Sequence, residues 1–211
     1  MMLTSLVSGM LLAAVSVHAI PASFDGMTIS DITWTGQVVE NGPMVNFSGP
    51  SLYAIEQSIA AVYPGFTWAS APRSIDQDAA TADLHSSDDS TDIPTPSLLK
   101  CWEGGAGDAD SVHINEGVNY LQSVPGWCNN GPGPNNCGQI SCSYNSAIMW
   151  CNHNPYPYKT LCQDFAKYAR AVMTGCHYTT RESAHYNVWT RGTQNDELGF
   201  SVIAAKPNQD C

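Results

Sequence analysis

Between Met27 and Trp34 polar and apolar residues alternate with period two. Ile29, Asp31 and Thr33 fall on one side, and Thr28, Ser30, Ile32 and Trp34 on the other. With its β-branched content this predicts a strand. Gly36–Asn46 reads as a second strand, turned across Glu40-Asn41-Gly42-Pro43, where Asn-Gly is a turn signal. The period then changes. Leu52, Ile55, Ile59 and Val62 make one stripe of a helix that Ser51 can cap and that runs to Tyr63, and Pro64-Gly65 ends it. Residues 20–68 therefore form a ββα unit. At about 45 residues it buries little surface alone, so it should lean on the cysteine-rich half of the chain.

Periodicity fades over residues 69–100. From Ser70 to Ser97 the chain is rich in Ala, Ser, Asp, Thr and Pro, which reads as an acidic, disordered linker. It returns in residues 101–211. Ser111–Leu121 predicts a short helix with Ile114, Val118 and Leu121 on one face. Pro125–Asn136 is a Gly- and Pro-rich loop. Gln139–Trp150 reads as one central strand. Thr160–Gly175 predicts a helix on Leu161, Phe165, Tyr168, Ala169, Val172 and Met173. Ala184–Thr190 and Glu197–Ala204 alternate as two strands joined by Arg191–Asp196. The order α, β, α, β, β predicts an α+β domain, a small α/β-sandwich with an antiparallel sheet and helices on one side.

Cysteine placement sharpens this division. All eight cysteines lie from Cys101 to Cys211: Cys101, Cys128, Cys137, Cys142, Cys151, Cys162, Cys176 and Cys211. None of their spacings suits a zinc site. An even count predicts four disulfides formed in an oxidising compartment. Met1–Ala19 has an apolar stretch of secretory length ending in Val17-His18-Ala19, and reads as a signal peptide; Ala22 is the alternative cleavage point, and a buried N-terminal helix the alternative reading. The expected product is secreted and extracellular. In that setting Asn46-Phe47-Ser48 is an N-glycosylation sequon. No dibasic site precedes Cys101, so residues 20–100 are expected to be retained rather than removed as a pro-region.

The formal net charge is −11. Residues 20–100 carry ten acids against Arg73 and Lys100, while residues 101–211 carry nine acids against six bases. This charge argues against phosphate-neutralising nucleic-acid binding and against polybasic membrane attachment. No apolar run reaches the ~20 residues that span a bilayer.

Catalytic motifs are absent from the sequence, and no catalytic residue, metal or cofactor is assigned. His113, with Asp108, Asp110 and Glu116 nearby, and His153, His177 and His185 supply the material for a general base. A secreted hydrolase using His113, His177 and His185 is thus one alternative function. Glu103 and Glu116 could be imagined as a glycosidase pair, but 13 residues of separation is commonplace. Cys101–Gly107 is glycine-rich without a preceding strand, so it reads as a domain entry rather than a phosphate loop. Aromatic residues are dense: Trp127, Tyr144, Trp150, Tyr156, Tyr158, Tyr178, Tyr186 and Trp189. Trp150 and Trp189 fall on strand patterns and are expected in the core. Tyr156 and Tyr158, in a proline-held loop, are the candidate exposed contacts. They motivate the other alternative, a cell-wall glycan-binding protein.

The stretch Cys137-Gly-Gln-Ile-Ser-Cys142-Ser-Tyr-Asn-Ser-Ala-Ile-Met-Trp-Cys151-Asn152 resembles a group of small secreted fungal proteins, many of them treated as candidate effectors. Gly131-Pro132-Gly133, Cys176, Cys211, Ile32–Gly36 and Phe47-Ser48-Gly49 extend the resemblance. Residues 137–211 are also similar to the killer-toxin (killer protein 4-like) fold. That fold has a strand opening at a cysteine, a cysteine-bearing helix, and a hairpin closing on a terminal cysteine. The resemblance implies helix-to-sheet disulfides, and by analogy the pairs Cys142–Cys211, Cys137–Cys151, Cys128–Cys162 and Cys101–Cys176. Killer toxins of this kind are basic channel blockers. Here Lys159 is the one lysine between residues 142 and 162, so no functional residue is carried over. The expected function is a non-enzymatic, monomeric effector or toxin-like protein whose partner is an extracellular protein or glycan.

Overall fold

The opening period-two segment divides between two sheets. In the computed structural model, which describes residues 23–24, 26–73, 94–182 and 185–211, β1 (Ser23–Phe24) and β2 (Met27–Ile29) belong to one sheet. β3 (Ile32–Gln37) belongs to another. The switch falls at Ser30-Asp31, where the Ser30 N–H donates to the Cys137 carbonyl at 2.9 Å. Along β3, Ile32 and Trp34 are sealed and Thr33 and Thr35 half-buried, as the alternation requires. β3 turns back through Asn41, in the left-handed region at φ 56°, into β4 (Met44–Gly49). Ser51 then caps α1 (Leu52–Val62), its Oγ accepting the Ala54 N–H at 3.1 Å. Leu52, Ile55 and Ile59 are buried; Val62 departs from the expected stripe and is exposed. Met1–Ala19, expected to be a signal peptide, and most of the acidic stretch lie outside the described residues.

The remaining elements are β5 (Leu99–Cys101), β6 (Ala109–Asp110), α2 (Ser111–Gln122), β7 (Trp127–Asn130), β8 (Asn136–Ser143), β9 (Ser146–Asn152), β10 (Tyr158–Leu161), α3 (Phe165–Gly175), β11 (His177–Glu182), β12 (His185–Thr190), β13 (Gly192–Asp196) and β14 (Phe200–Ala205). A seven-stranded sheet runs β1-β2-β8-β9-β14-β13-β5, antiparallel except at β2–β8. Sheet β10-β7-β3-β4 joins the front strands to back strands, with Trp34 opposite Cys128. Sheet β11-β12-β6 is the third. The protein is thus an α+β, disulfide-stapled α/β-sandwich. β9 and β14 are buried along their whole length. Ile148, Trp150, Val202 and Ala204 join a core with Ile114 and Val118 of α2 and Phe165 and Val172 of α3. Met149, Cys151, Ile203 and Ala205 face the other way, onto Phe24 and Met27. Gly105, at φ +72°, closes in on this second face, where a Cβ would collide with Ala205.

The ββα unit does lean on the cysteine-rich half. Ile32, Trp34, Leu52, Ile55 and Ile59 occupy the same core as α2 and α3. The Trp34 indole packs on Trp68 and Phe66 at centroid distances of 5.2 and 6.4 Å, and its N–H donates to the Pro125 carbonyl at 2.6 Å. Four disulfides close within residues 101–211: Cys101–Cys176, Cys128–Cys162, Cys137–Cys151 and Cys142–Cys211. These are the same pairs as the killer-toxin analogy implies. Such bridges fit folding in an oxidising compartment, and no helix among the described residues is long and apolar enough to cross a membrane.

Several boundaries differ from expectation. The Pro125–Asn136 loop contains β7, which is paired on both sides; tertiary pairing overrides its turn-rich composition. Gln139–Trp150 is a hairpin, not one strand. It reverses at Tyr144-Asn145, both at positive φ (47° and 58°), a turn that sequences more often mark with glycine. The helix expected from Thr160 starts at Phe165, because residues 158–161 pair with β7. Arg191–Asp196 is not a connection, since β13 runs through it between β14 and β5. β11 extends the hairpin set by one unforeseen strand. The 69–100 linker is structured at both described ends, by a 3-10 turn at Trp68–Ser70 and by β5.

Candidate functional site

Two surfaces gather exposed aromatic and polar side chains. The first is a groove of about 200 Å³ between α1, α2 and β8, lined by Tyr53, Glu116, Gly117, Tyr120 and Ser141 to Ser143. Tyr53 lies off the Leu52/Ile55/Ile59 stripe, so helical phase turns it outward, and it is 64% exposed. Asp110 caps α2 by accepting the Val112 N–H at 2.8 Å. One turn on, His113 and Glu116 meet at 2.8 Å, an i,i+3 pair on the helix surface. The His113 ring stacks on Tyr144 at 4.4 Å and 22°, so the β8–β9 turn stands beside the groove. Tyr120 accepts the Trp68 indole N–H at 2.8 Å. Burial pushes its phenol well above the usual range, so its own proton stays in place to be donated. Gly117 sets how near α2 comes to the sheet: a Cβ there would lie 2.8 Å from Ile148 Cδ1 and Ser141 Oγ.

The second surface is the β11–β12 hairpin with the turn after β5. Trp102, at φ 67°, is 45% exposed and meets the Tyr178 ring edge-on at 5.4 Å. The Tyr178 hydroxyl donates to Asp108 at 2.7 Å, which raises its pKa, and Asp108 also forms an ion pair with Arg191 at 3.2 Å. Arg181 lies over the ring of exposed Tyr186 at 5.5 Å.

The sequence-derived candidates are dispersed. His177 and His185 stand at opposite ends of the hairpin, as His177 pairs with Thr190 and His185 with Glu182. Five residues of strand put roughly 17 Å between them. His113 is on α2, so the three histidines do not share a site. His177 contacts the Thr174 carbonyl, 3.0 Å away. His153 lies 2.8 Å from Ser201 Oγ and 3.2 Å from Asn135 Oδ1, and burial lowers its pKa. Tyr156 is exposed as expected. Tyr158 is not: it stacks on Phe200 at 5.1 Å and burial raises its pKa. Trp150 is fully buried, whereas Trp189 is half-buried outside the core, its N–H donated to Thr180 at 2.9 Å. Asn46 is exposed on β4, an outer strand of its sheet, and accepts from Thr35 at 2.7 Å.

Buried Asn130 and Asn152 carry no signal in the sequence. Asn130 donates to the Asn136 and Trp150 carbonyls, and Asn152 to Gly131 and Tyr156. Both amides therefore pin the Gly- and Pro-rich loops to the hairpin. No family model, curated protein or solved structure matches the chain.

Proposed function

We propose that this is a secreted effector or toxin-like protein that works outside the producing fungal cell, by binding a component of a host or competitor rather than by catalysis. The observation that most supports this is the coupling of four internal disulfides to exposed aromatic side chains. Trp102, Tyr144 and Tyr186 project from the part of the chain that the four bridges tie, and Tyr53 from α1, which packs on the same core. Rigid aromatic side chains offer contact area at small entropic cost. All eight cysteines pair internally, which supports action as a monomer. The resemblance to small secreted fungal proteins supports the compartment and the source.

The test is direct. Purified protein with its bridges intact is infiltrated into plant tissue and added to cultures of competing fungi. A host response or growth change that disappears on reduction and alkylation is expected. No response on several hosts and competitors counts against the proposal.

A further inference from the structure

We infer that the α1–α2–β8 groove binds one neutral pyranose ring of a wall polysaccharide, with Tyr53 as the stacking face and Glu116 as the hydroxyl-binding group. This makes the glycan alternative specific, and it stands whether or not the protein acts on a host. Size limits the occupant first. About 200 Å³ is below the ~300–1,000 Å³ of pockets for drug-sized ligands, so one ring enters while the rest of an oligomer runs outside. Tyr144, 75% exposed and stacked on His113, stands where a neighbouring ring would pass.

Chemistry then selects its class. The lining combines an exposed aromatic ring, one carboxylate, the Tyr120 phenol and the hydroxyls of Ser141 and Ser143. A pyranose has an apolar C–H face for the ring and hydroxyls that both donate and accept. Glu116 is held by His113, its carboxylate keeps acceptor sites for two sugar hydroxyls, and Tyr120 supplies a donor. Charge narrows the choice further. Neither lysine nor arginine lines the groove, and the protein carries a net −11. Uronic acids and phosphorylated sugars are therefore repelled, while the Glu116 carboxylate that a cationic amino sugar would seek is already engaged by His113.

The test uses the secreted, four-bridged protein in ligand-observed NMR titrations. Probes are a chitin tetramer, a β-1,3-glucan tetramer, a chitosan tetramer and a galacturonate tetramer. At least one of the two neutral oligomers is expected to bind, with a Kd of about millimolar as suits a single buried ring; which one names the polysaccharide. Tyr53→Ala should weaken binding about tenfold or more and Glu116→Gln several-fold. Both side chains are more than half exposed, so folding survives. Tyr156→Ala, on the distant loop, should change nothing. Failure of both neutral oligomers, a preference for galacturonate or chitosan, or unchanged binding by Tyr53→Ala overturns the inference. Loss of binding in Tyr156→Ala alone would move the site to the loop and overturn it equally.

Discussion

The front of the molecule, residues 23–73, has no covalent tie, whereas residues 101–211 have four. Both are nonetheless equally sealed at their centres: Trp34, Ile55 and Leu52 in front and Trp150, Phe165 and Cys128 behind share one core at 0% exposure. The difference lies in where each obtains its order. The back half stitches short strands and Gly/Pro-rich loops to one another, where packing alone leaves large loop entropy. The front adds two strands and a helix to an already stapled strand, β7, and fills the space beside it with aromatic rings. A segment without disulfides can thus be an integral part of a disulfide protein.

The largest test of this comparison is Trp34→Ala. Removing a sealed indole, and leaving the Pro125 carbonyl without its donor, should cost about 3–5 kcal/mol. A single melting transition, shifted down for front and back together, is expected by calorimetry; two separate transitions would sink the shared core. Next in size is the double change Cys128→Ser with Cys162→Ser, at about 2–4 kcal/mol. Because Cys128 lies opposite Trp34, β3 amides should lose hydrogen-exchange protection as well. Removing Cys137 and Cys151 together, on the opposite face, should leave β3 protected.

Smaller again is a chain ending at Asp210. It leaves Cys142 as a free thiol, and because Cys211 is exposed the loss should be about 2 kcal/mol, at the low end for a bridge. Wild-type stability with no titratable thiol would refute the bridge. The smallest effect concerns pH. Burial lowers the His153 pKa, so the folded state binds this proton less readily than the unfolded chain does. Its contribution is present above about pH 6.5, the unfolded value, and is lost as pH falls through the folded one. Urea midpoints at pH 7.5 and pH 5 should differ less in His153→Gln than in the native protein. The described front half holds no histidine, so this component belongs to the back alone.

What could be read in the sequence depends on how local each signal is. The α1 cap and its inner positions, the α2 stripe and the strand alternation at Ile32 and Trp34 are set within a few residues, and they hold. β7 could not be read, because partners tens of residues away order it, and β13 has one such remote partner, β5, beside its chain neighbour β14. The Tyr144-Asn145 reversal lacked a glycine to announce it. At the candidate groove, the exposure of Tyr53 was implicit in the helical phase. The approach of Glu116 and Tyr120 to Ser141 depends on how α2 lies on β8, which no local pattern carries.

The placement of the four bridges has one further consequence. None crosses from residues 23–73 to residues 94–211. A protease that cuts once between residues 74 and 93 therefore makes a heterodimer without separating its parts, since sheet pairing and the common core still hold them. The two pieces would elute as one particle under native conditions. They would run apart on a denaturing gel even with no reductant added.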